Sequence, residues 1–447
     1  MVPEQRIFTS QYSKWAKQTT RNRVIKTELK VQEIENGVIL PIKKLRDIPG
    51  YDGVFGGGVT TAEYQFVAGH FRKKNDATAN YSVSEGYKLE YEPENIDEVV
   101  VFGGIFFRHF GHAIIDGLTR MWWYAENYKN LPHKLVFLTM PDQSPETDKR
   151  FLRLAGLTEK DYIIVDRPTK FKKILVPEEA IYNMDCGHEE WLKFFDLIKE
   201  NVNKYPPPPP LQEEKIYLSR TQLPEKDAVN EEYLEKVAEE QGYKIVYPEQ
   251  LKLEEQVNLI MHAKSIASTM GTLTHMAVFA EPGTEVICFL RKAEEITHPQ
   301  IIINELRKLD WYIVEATKTP LPTTHVRGMF LYGLTPYFAD FMRYKGWQFD
   351  EKYQISDEMM LEYIKRWADY YSKPQRYVMI KKASVWDTVK GLNWAFYGRT
   401  LQEKEYGIGE KKSEPAKKPE APKAKKEEPQ KVGLVRRVWR FIKRELK

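Results

Sequence analysis

Between residues 99 and 290 the chain alternates short apolar runs with helix-length segments, and this alternation constrains the fold more than any other feature. VVVFGGIF (99–106), KLVFLTM (134–140), YIIV (162–165) and KILV (173–176) are short and rich in β-branched and aromatic residues, so they read as buried strands. A helix fits residues 145–156 between them. The pattern restarts with KIYLS (215–219), YKIVY (243–247), KSIAST (264–269) and EVICFL (285–290), separated by helical segments at 229–241, 252–263 and 272–279. Strands that alternate with helices form parallel sheets covered on both faces, so the expected class is α/β.

Between the two runs stand five consecutive prolines, Pro206–Pro210. Such a segment is stiff and extended and can join neither a helix nor a central strand. It divides an N-terminal α/β domain (1–205) from a C-terminal one (211–325), and a cleft between them would receive ligands beyond the carboxyl ends of the strands. Residues 326–407, with DEMMLEYIKRWADYY, are expected to form helices packed on the body. In the N-terminal 70 residues, Gly56–Gly58 lack the downstream Lys-Ser/Thr of a phosphate loop and read as a turn between strands.

The last forty residues differ. Residues 408–431 are mostly Lys, Glu, Pro, Ala and Gly and read as a disordered linker. In residues 432–447, Val435, Val438, Trp439, Ile442 and Leu446 share one helical face. Arg436, Arg437, Arg440, Lys443 and Arg444 supply charge, and Phe441 adds an aromatic group beside Trp439. The formal net charge of +4 is concentrated here, because this segment alone carries six basic residues and one acid. That is the pattern of a helix lying on an anionic membrane surface, with a protein partner or the protein's own body as the alternative occupant.

The remaining body is close to neutral, so no nucleic-acid partner is implied. Neither an apolar signal region at the N-terminus nor a bilayer-spanning run is seen, and Cys186 and Cys288 show no metal-ligand spacing. The expected location is the cytoplasmic, inner face of a membrane, as a peripheral protein.

RHFGHAIIDGLTRMWW (108–123) carries the densest chemistry. On a helix His112, Asp116 and Arg120 stack at i, i+4 and i+8. An imidazole oriented by a carboxylate is a general base, with Arg120 holding the carboxylate ionised; the reverse assignment, Asp116 as base, stays open. A metal reading with His109, His112 and Asp116, and a structural His–Asp pair, are the other possibilities. Trp122 and Trp123 read as core. In the C-terminal half, Arg220 follows a strand at the cleft end, where its guanidinium can grip phosphate oxygens, and Lys226 lies in the next loop. Asn230 can cap the following helix, with Glu231 in its first turn. Gly271 permits a sharp turn, Thr272 can cap the helix after it, and His275 stands one turn in, so this helix start can hold a diphosphate.

These motifs, in this order, resemble glycosyltransferase family 61 over roughly residues 50–295. FGGIFFRHFGHAIIDGLTRMWWY matches its Gly-His helix. The run from Asn230 through Glu255-Gln256 and Gly271 to His275 matches its second half. The resemblance implies a GT-B fold of two Rossmann-like domains facing a cleft. It also implies inverting transfer from a nucleotide-sugar, often a UDP-sugar, to a hydroxyl of a glycan or glycolipid acceptor. His112 and Asp116 would be catalytic, His109 and Arg120 in support, and Arg220, Lys226, Asn230, Glu231, Gly271, Thr272 and His275 would bind the donor. The chain departs from the pattern at Met270, where many relatives carry His. No Asp-X-Asp occurs, so no metal and no other cofactor is expected. Taken together, the expectation is a transferase of surface-polysaccharide synthesis. The alternative is an inactive, membrane-recruited scaffold of the same fold.

Overall fold

A computed structural model describes residues 6–48, 51–68, 70–74, 77–81, 87–107, 109–204, 213–223, 227–321, 323 and 328–372. The proline run, Lys226, the linker 408–431 and the basic segment 432–447 lie outside the described residues. Among the described residues no helix is long and apolar enough to cross a membrane.

The chain opens with strand β1 (Ile7–Phe8) and helix α1 (Tyr12–Thr19). Strands β2 (Val31–Glu35), β3 (Val38–Ile48), β4 (Tyr51–Thr60), β5 (Phe66–Ala68), β6 (His70–Lys74) and β7 (Ala77–Tyr81) follow without a helix between them. Alternation begins with β8 (Glu94–Phe106), then α2 (Phe110–His112), a π turn (Ala113–Gly117), α3 (Trp122–Asn127), β9 (Lys134–Thr139), α4 (Glu146–Leu154), β10 (Tyr162–Ile164) and β11 (Thr169–Pro177). A small hairpin of β12 (Ile181–Tyr182) and β13 (Cys186–Gly187) leads into α5 (Leu192–Val202). The second run holds β14 (Lys215–Leu218), β15 (Ala228–Val229), α6 (Glu231–Glu240), β16 (Lys244–Val246), α7 (Leu253–His262), β17 (Ser265–Thr269), a 3₁₀ turn (Thr274–Phe279), β18 (Glu285–Phe289), α8 (His298–Leu306) and β19 (Asp310–Val314). Strand β20 (Phe330–Leu331) and helices α9 (Pro336–Lys345) and α10 (Asp357–Ser372) complete the described chain.

The mixed α/β class follows the sequence pattern, with one difference in the first sheet. Its order is β10-β9-β8-β11-β3-β4-β7-β6; the β10 to β11 part is parallel, as is the short β4–β7 contact, and the other neighbours are antiparallel. β2 and β3 pair antiparallel to β11, and β3 to β4. β3 ends at Ile48 and β4 begins at Tyr51, a connection too short for anything but an antiparallel pair, whereas β7 meets β4 in parallel at Phe55 and Tyr81. Gly57 and Gly58, read as a turn, sit inside β4 instead, with φ of 135° and 120°. A Cβ there would stand 2.5 Å from the Pro41 carbonyl oxygen and 2.4 Å from that of Ala68, so close strand approach requires glycine.

The second sheet is wholly parallel, in the order β1-β19-β18-β17-β14-β16. Counting from β14 along the chain, this is the doubly wound order 2-1-3-4-5, and its switch point lies between β14 and β17.

The chain divides into two compact units. One comprises Met1–Pro224, Glu232–Thr317 and Leu334–Glu351 and holds both large sheets. A continuous core joins them: Phe279, on the 3₁₀ turn, stacks at 6.4 Å on Phe151 of α4 and meets Phe195 of α5 edge-on at 5.5 Å. The other unit comprises Glu225–Glu231, Lys318–Gly333 and Lys352–Lys447. In its described part β15 pairs with β20, and Val229, Leu331, Tyr363, Ile364 and Trp367 form its core.

Candidate functional site

Strand β8 is buried from Val100 to its end, and Phe107 beyond it donates its backbone N–H to Asp148 Oδ2 at 3.1 Å. Asp148 is fully buried in the first turn of α4, and that burial raises its carboxyl well above the usual carboxylate range. The straight helix expected from Gly111 onward is broken into short pieces. After three α-helical residues the backbone winds as a π turn, with Leu118 N–H bonded back to the Ala113 carbonyl oxygen at 3.0 Å. Such turns occur frequently at functional sites. Close packing goes with this turn, since a Cβ on Gly117 would stand 2.9 Å from Asp148 Oδ1 and 3.1 Å from the Ile105 carbonyl oxygen.

On this segment His112 Nδ1 lies 2.7 Å from Asp116 Oδ2. The Asp116 side chain is 1% exposed and that of His112 38%, so the carboxylate is sealed behind an imidazole that reaches solvent. Hence Nδ1–H donates to the carboxylate, which fixes the ring's orientation. His109 is exposed, with its ring 5.3 Å from that of His112. Arg120 is buried at the end of β11, where its guanidinium donates to the Pro177 carbonyl oxygen, pairs with Glu179 at 3.5 Å and covers the Phe102 ring. Burial lowers its pKa, with Glu179 opposing. The stacking expected at i+8 assumed a continuous α-helix, which the π turn interrupts. Trp122 and Trp123 are buried, as core residues.

In the second sheet, Arg220 follows β14 and Gly271 follows β17, one on each side of the switch point. Arg220 is half-buried and its turn is tied down on both flanks. The hydroxyls of Ser219 and Thr221 both donate to Glu235 Oε1 of α6, the second at 2.7 Å. Gly271 has φ 145°, open only to glycine at low cost, and its turn is pinned by Thr274, whose hydroxyl meets the Gly271 carbonyl oxygen at 2.6 Å and its N–H at 3.1 Å. Arg291 enters here without any sequence expectation. It follows β18, the next strand, and its Cζ lies 3.1 Å from where a Gly271 Cβ would be. The helix expected at 272–279 is a six-residue 3₁₀ turn, Thr274–Phe279, too short to present a strong dipole. Arg220 and Arg291 place side-chain cations just past β14 and β18.

The two halves meet at Gly111. A Cβ there would stand 3.1 Å from Thr272 Oγ1 and 3.2 Å from His275 Cδ2, so the residue before His112 packs directly against the Gly271 turn. His275 is buried, with Nδ1 2.9 Å from Gln300 Oε1. Burial pushes its pKa down to about 4; Gln300 opposes this, and His112 and Arg291 reinforce it. His275 is thus neutral at physiological pH.

Asn230 and Glu231 fall in the second unit. Asn230, at φ 65°, donates its amide nitrogen to the Tyr332 carbonyl oxygen and Tyr353 Oη, each at 2.8 Å. Glu231 is the buried first residue of α6. Met270 is buried at the end of β17. Among the described residues no group of three His, Cys, Asp or Glu is arranged to hold a metal ion.

Residues 110–287 match the family model Glycosyltransferase 61, a stretch running from the start of α2 into β18 and taking in the His112–Asp116 pair, Arg220 and the Gly271 turn. No curated protein matches the chain. Over this stretch the chain is similar to glycosyltransferase family 61.

Proposed function

We propose that the protein is an inverting glycosyltransferase of GT-B-like architecture. It moves a sugar from a nucleotide-sugar, a UDP-sugar foremost, to a hydroxyl of a glycan or glycolipid acceptor in surface-polysaccharide synthesis. The observation that carries this reading is the packing of Gly111 against Thr272 and His275. It sets a solvent-reaching imidazole–carboxylate pair beside a doubly wound switch point flanked by arginines.

In this reading His112 is the base. Its Nδ1 is held by buried Asp116, so Nε2 takes the acceptor's hydroxyl proton as the oxygen attacks the anomeric carbon. The oxygen–carbon bond forms as the bond from the anomeric carbon to the diphosphate oxygen breaks. Asp116 stabilises the imidazolium that results. Negative charge grows on the departing diphosphate, where Arg220 and Arg291 compensate it. The basic segment 432–447 is proposed to hold the enzyme on an anionic membrane, at its cytoplasmic face, near a membrane-held acceptor.

The test is release of nucleoside diphosphate from a panel of UDP-, GDP-, CDP- and TDP-sugars, with thermal shift against each nucleotide. One nucleotide should stabilise the protein, and both Arg220→Ala and Arg291→Ala should abolish the shift. Turnover of no donor, with no nucleotide binding, would refute the reading. Flotation on anionic liposomes should be lost in a 1–410 truncation; equal flotation of both chains would remove the membrane proposal.

A further inference from the structure

Behind the Gly111 seam lies a buried row of polar side chains. His275 Nδ1 meets Gln300 Oε1 at 2.9 Å, and Gln300 Nε2 donates to Asn304 Oδ1 at 2.8 Å. Gln300 and Asn304 lie one turn apart on α8, 0% and 1% exposed, so water cannot replace their hydrogen bonds. The row has a direction. Gln300 spends an N–H on Asn304 and turns its carbonyl oxygen to the imidazole, so the imidazole must offer N–H at Nδ1. The other nitrogen, Nε2, then holds only a lone pair. The Cδ2 edge beside Nε2 is the edge that packs toward Gly111 and the His112 segment.

A lone pair is a poor partner for a phosphate oxygen, which can only accept. It suits a hydroxyl. The diphosphate charge has Arg220 and Arg291 at the strand ends, whereas the sugar must lie between the diphosphate and the acceptor base, where His275 stands.

We propose that His275 presents a neutral, acceptor-only Nε2 to a hydroxyl of the donor sugar, and that Gln300 is the positioning residue that fixes this tautomer. The proposal rests on the reading of this site as a nucleotide-sugar site. It assigns His275 to recognition of the sugar and removes it from recognition of the diphosphate.

The experiment has two arms. In protein labelled with ¹⁵N-histidine, long-range ¹H–¹⁵N spectra should show His275 protonated at Nδ1 and bare at Nε2 from pH 6 to 8. Gln300→Leu should mix the tautomers. In the second arm, calorimetric titration compares the nucleoside diphosphate with the matching nucleotide-sugar from the panel above. Gln300→Leu should weaken the nucleotide-sugar about tenfold and leave the nucleoside diphosphate unchanged. Gln300→Glu, closer in shape, provides a second variant: its carboxylate favours the imidazolium, turns Nε2 into a donor, and should again weaken only the nucleotide-sugar. A protonated Nε2 in the wild type, or equal losses for both ligands in both variants, would overturn the proposal. So would unchanged nucleotide-sugar affinity. If the wild type binds neither ligand, the nucleotide-sugar reading fails and takes this proposal with it; in the other cases that reading survives.

Discussion

Asp116→Asn isolates the chemistry from the fold. The Asp116 side chain is 1% exposed and its Oδ2 lies 2.7 Å from His112 Nδ1, so the substitution keeps shape and burial and removes the charge. An amide oxygen can still accept from Nδ1–H and hold the ring in place, so donor binding should be unaffected. What is lost is stabilisation of the imidazolium that forms when His112 takes the acceptor proton. A hydrogen bond to a charged group contributes about 1.5–3 kcal/mol, and 1.36 kcal/mol is a factor of ten in rate. The expected result is a fall in kcat of about 10- to 150-fold, with the donor KM unchanged within about twofold. Initial rates of nucleoside diphosphate release at saturating donor and acceptor measure it. His112→Ala should fall further, because it removes the base itself. A kcat within twofold of wild type for Asp116→Asn, with His112→Ala crippled, would refute the idea that the carboxylate works through the imidazole.

Three further substitutions probe the supports of the site. Glu235→Ala frees the Ser219 and Thr221 hydroxyls that flank Arg220 and should weaken nucleoside diphosphate binding about tenfold in calorimetric titration; unchanged affinity would show that the clamp does not orient Arg220. Gly111→Ala should cost turnover about three- to tenfold without lowering the melting temperature. The new methyl group presses on Thr272 and His275 at 3.1 and 3.2 Å, while alanine favours the helix by about 0.5–1 kcal/mol. Asp148→Asn tests the buried acid. Burial raises the folded-state pKa of Asp148, so its contribution to stability is complete below the ordinary carboxylate pKa and is lost as pH rises through the raised value. The asparagine variant should therefore show a flatter melting profile above the ordinary carboxylate pKa and a higher melting temperature than wild type on the alkaline side; a steeper profile would contradict the assignment.

The strands were legible because a strand buried on both faces favours an apolar run, and β8, β9, β14 and β18 each carry one within a residue or two of the observed limits, apart from the polar start of β8; β17 reads as a strand from small and β-branched residues instead. Strand pairing was less so. β3 and β4 meet through a glycine-rich stretch that reads as a turn, since φ values above 100° in a strand are decided by the carbonyl groups of its neighbours. Sequence spacing carries no information about those neighbours. The same limit hides the joint core of the two sheets: Phe151, Phe195 and Phe279 are ordinary helix-face aromatics until packing brings them together.

The site divides along the same physical line. His112 and Asp116 were readable because four residues bring two side chains together on a helix, and the leading half of the π turn still delivers that contact. Arg120 lies beyond the π turn, where Gly117 is drawn against Asp148, and its partners at Pro177 and Glu179 could not be read from helical spacing. Arg291 bears the same local signal as Arg220, a cation just past a buried strand, yet its importance depends on strand order. Only because β18, β17 and β14 are neighbours do the two arginines bracket Gly271, and a chain that wound the sheet in another order would send one of them elsewhere. His275 is the converse case. A histidine after a glycine turn invites an anion-binding role, but Gln300, twenty-five residues further on, fixes its tautomer, and burial keeps it neutral. What a titratable residue can do at a site is thus set by partners that the fold supplies, and the partner to change when testing His275 is Gln300.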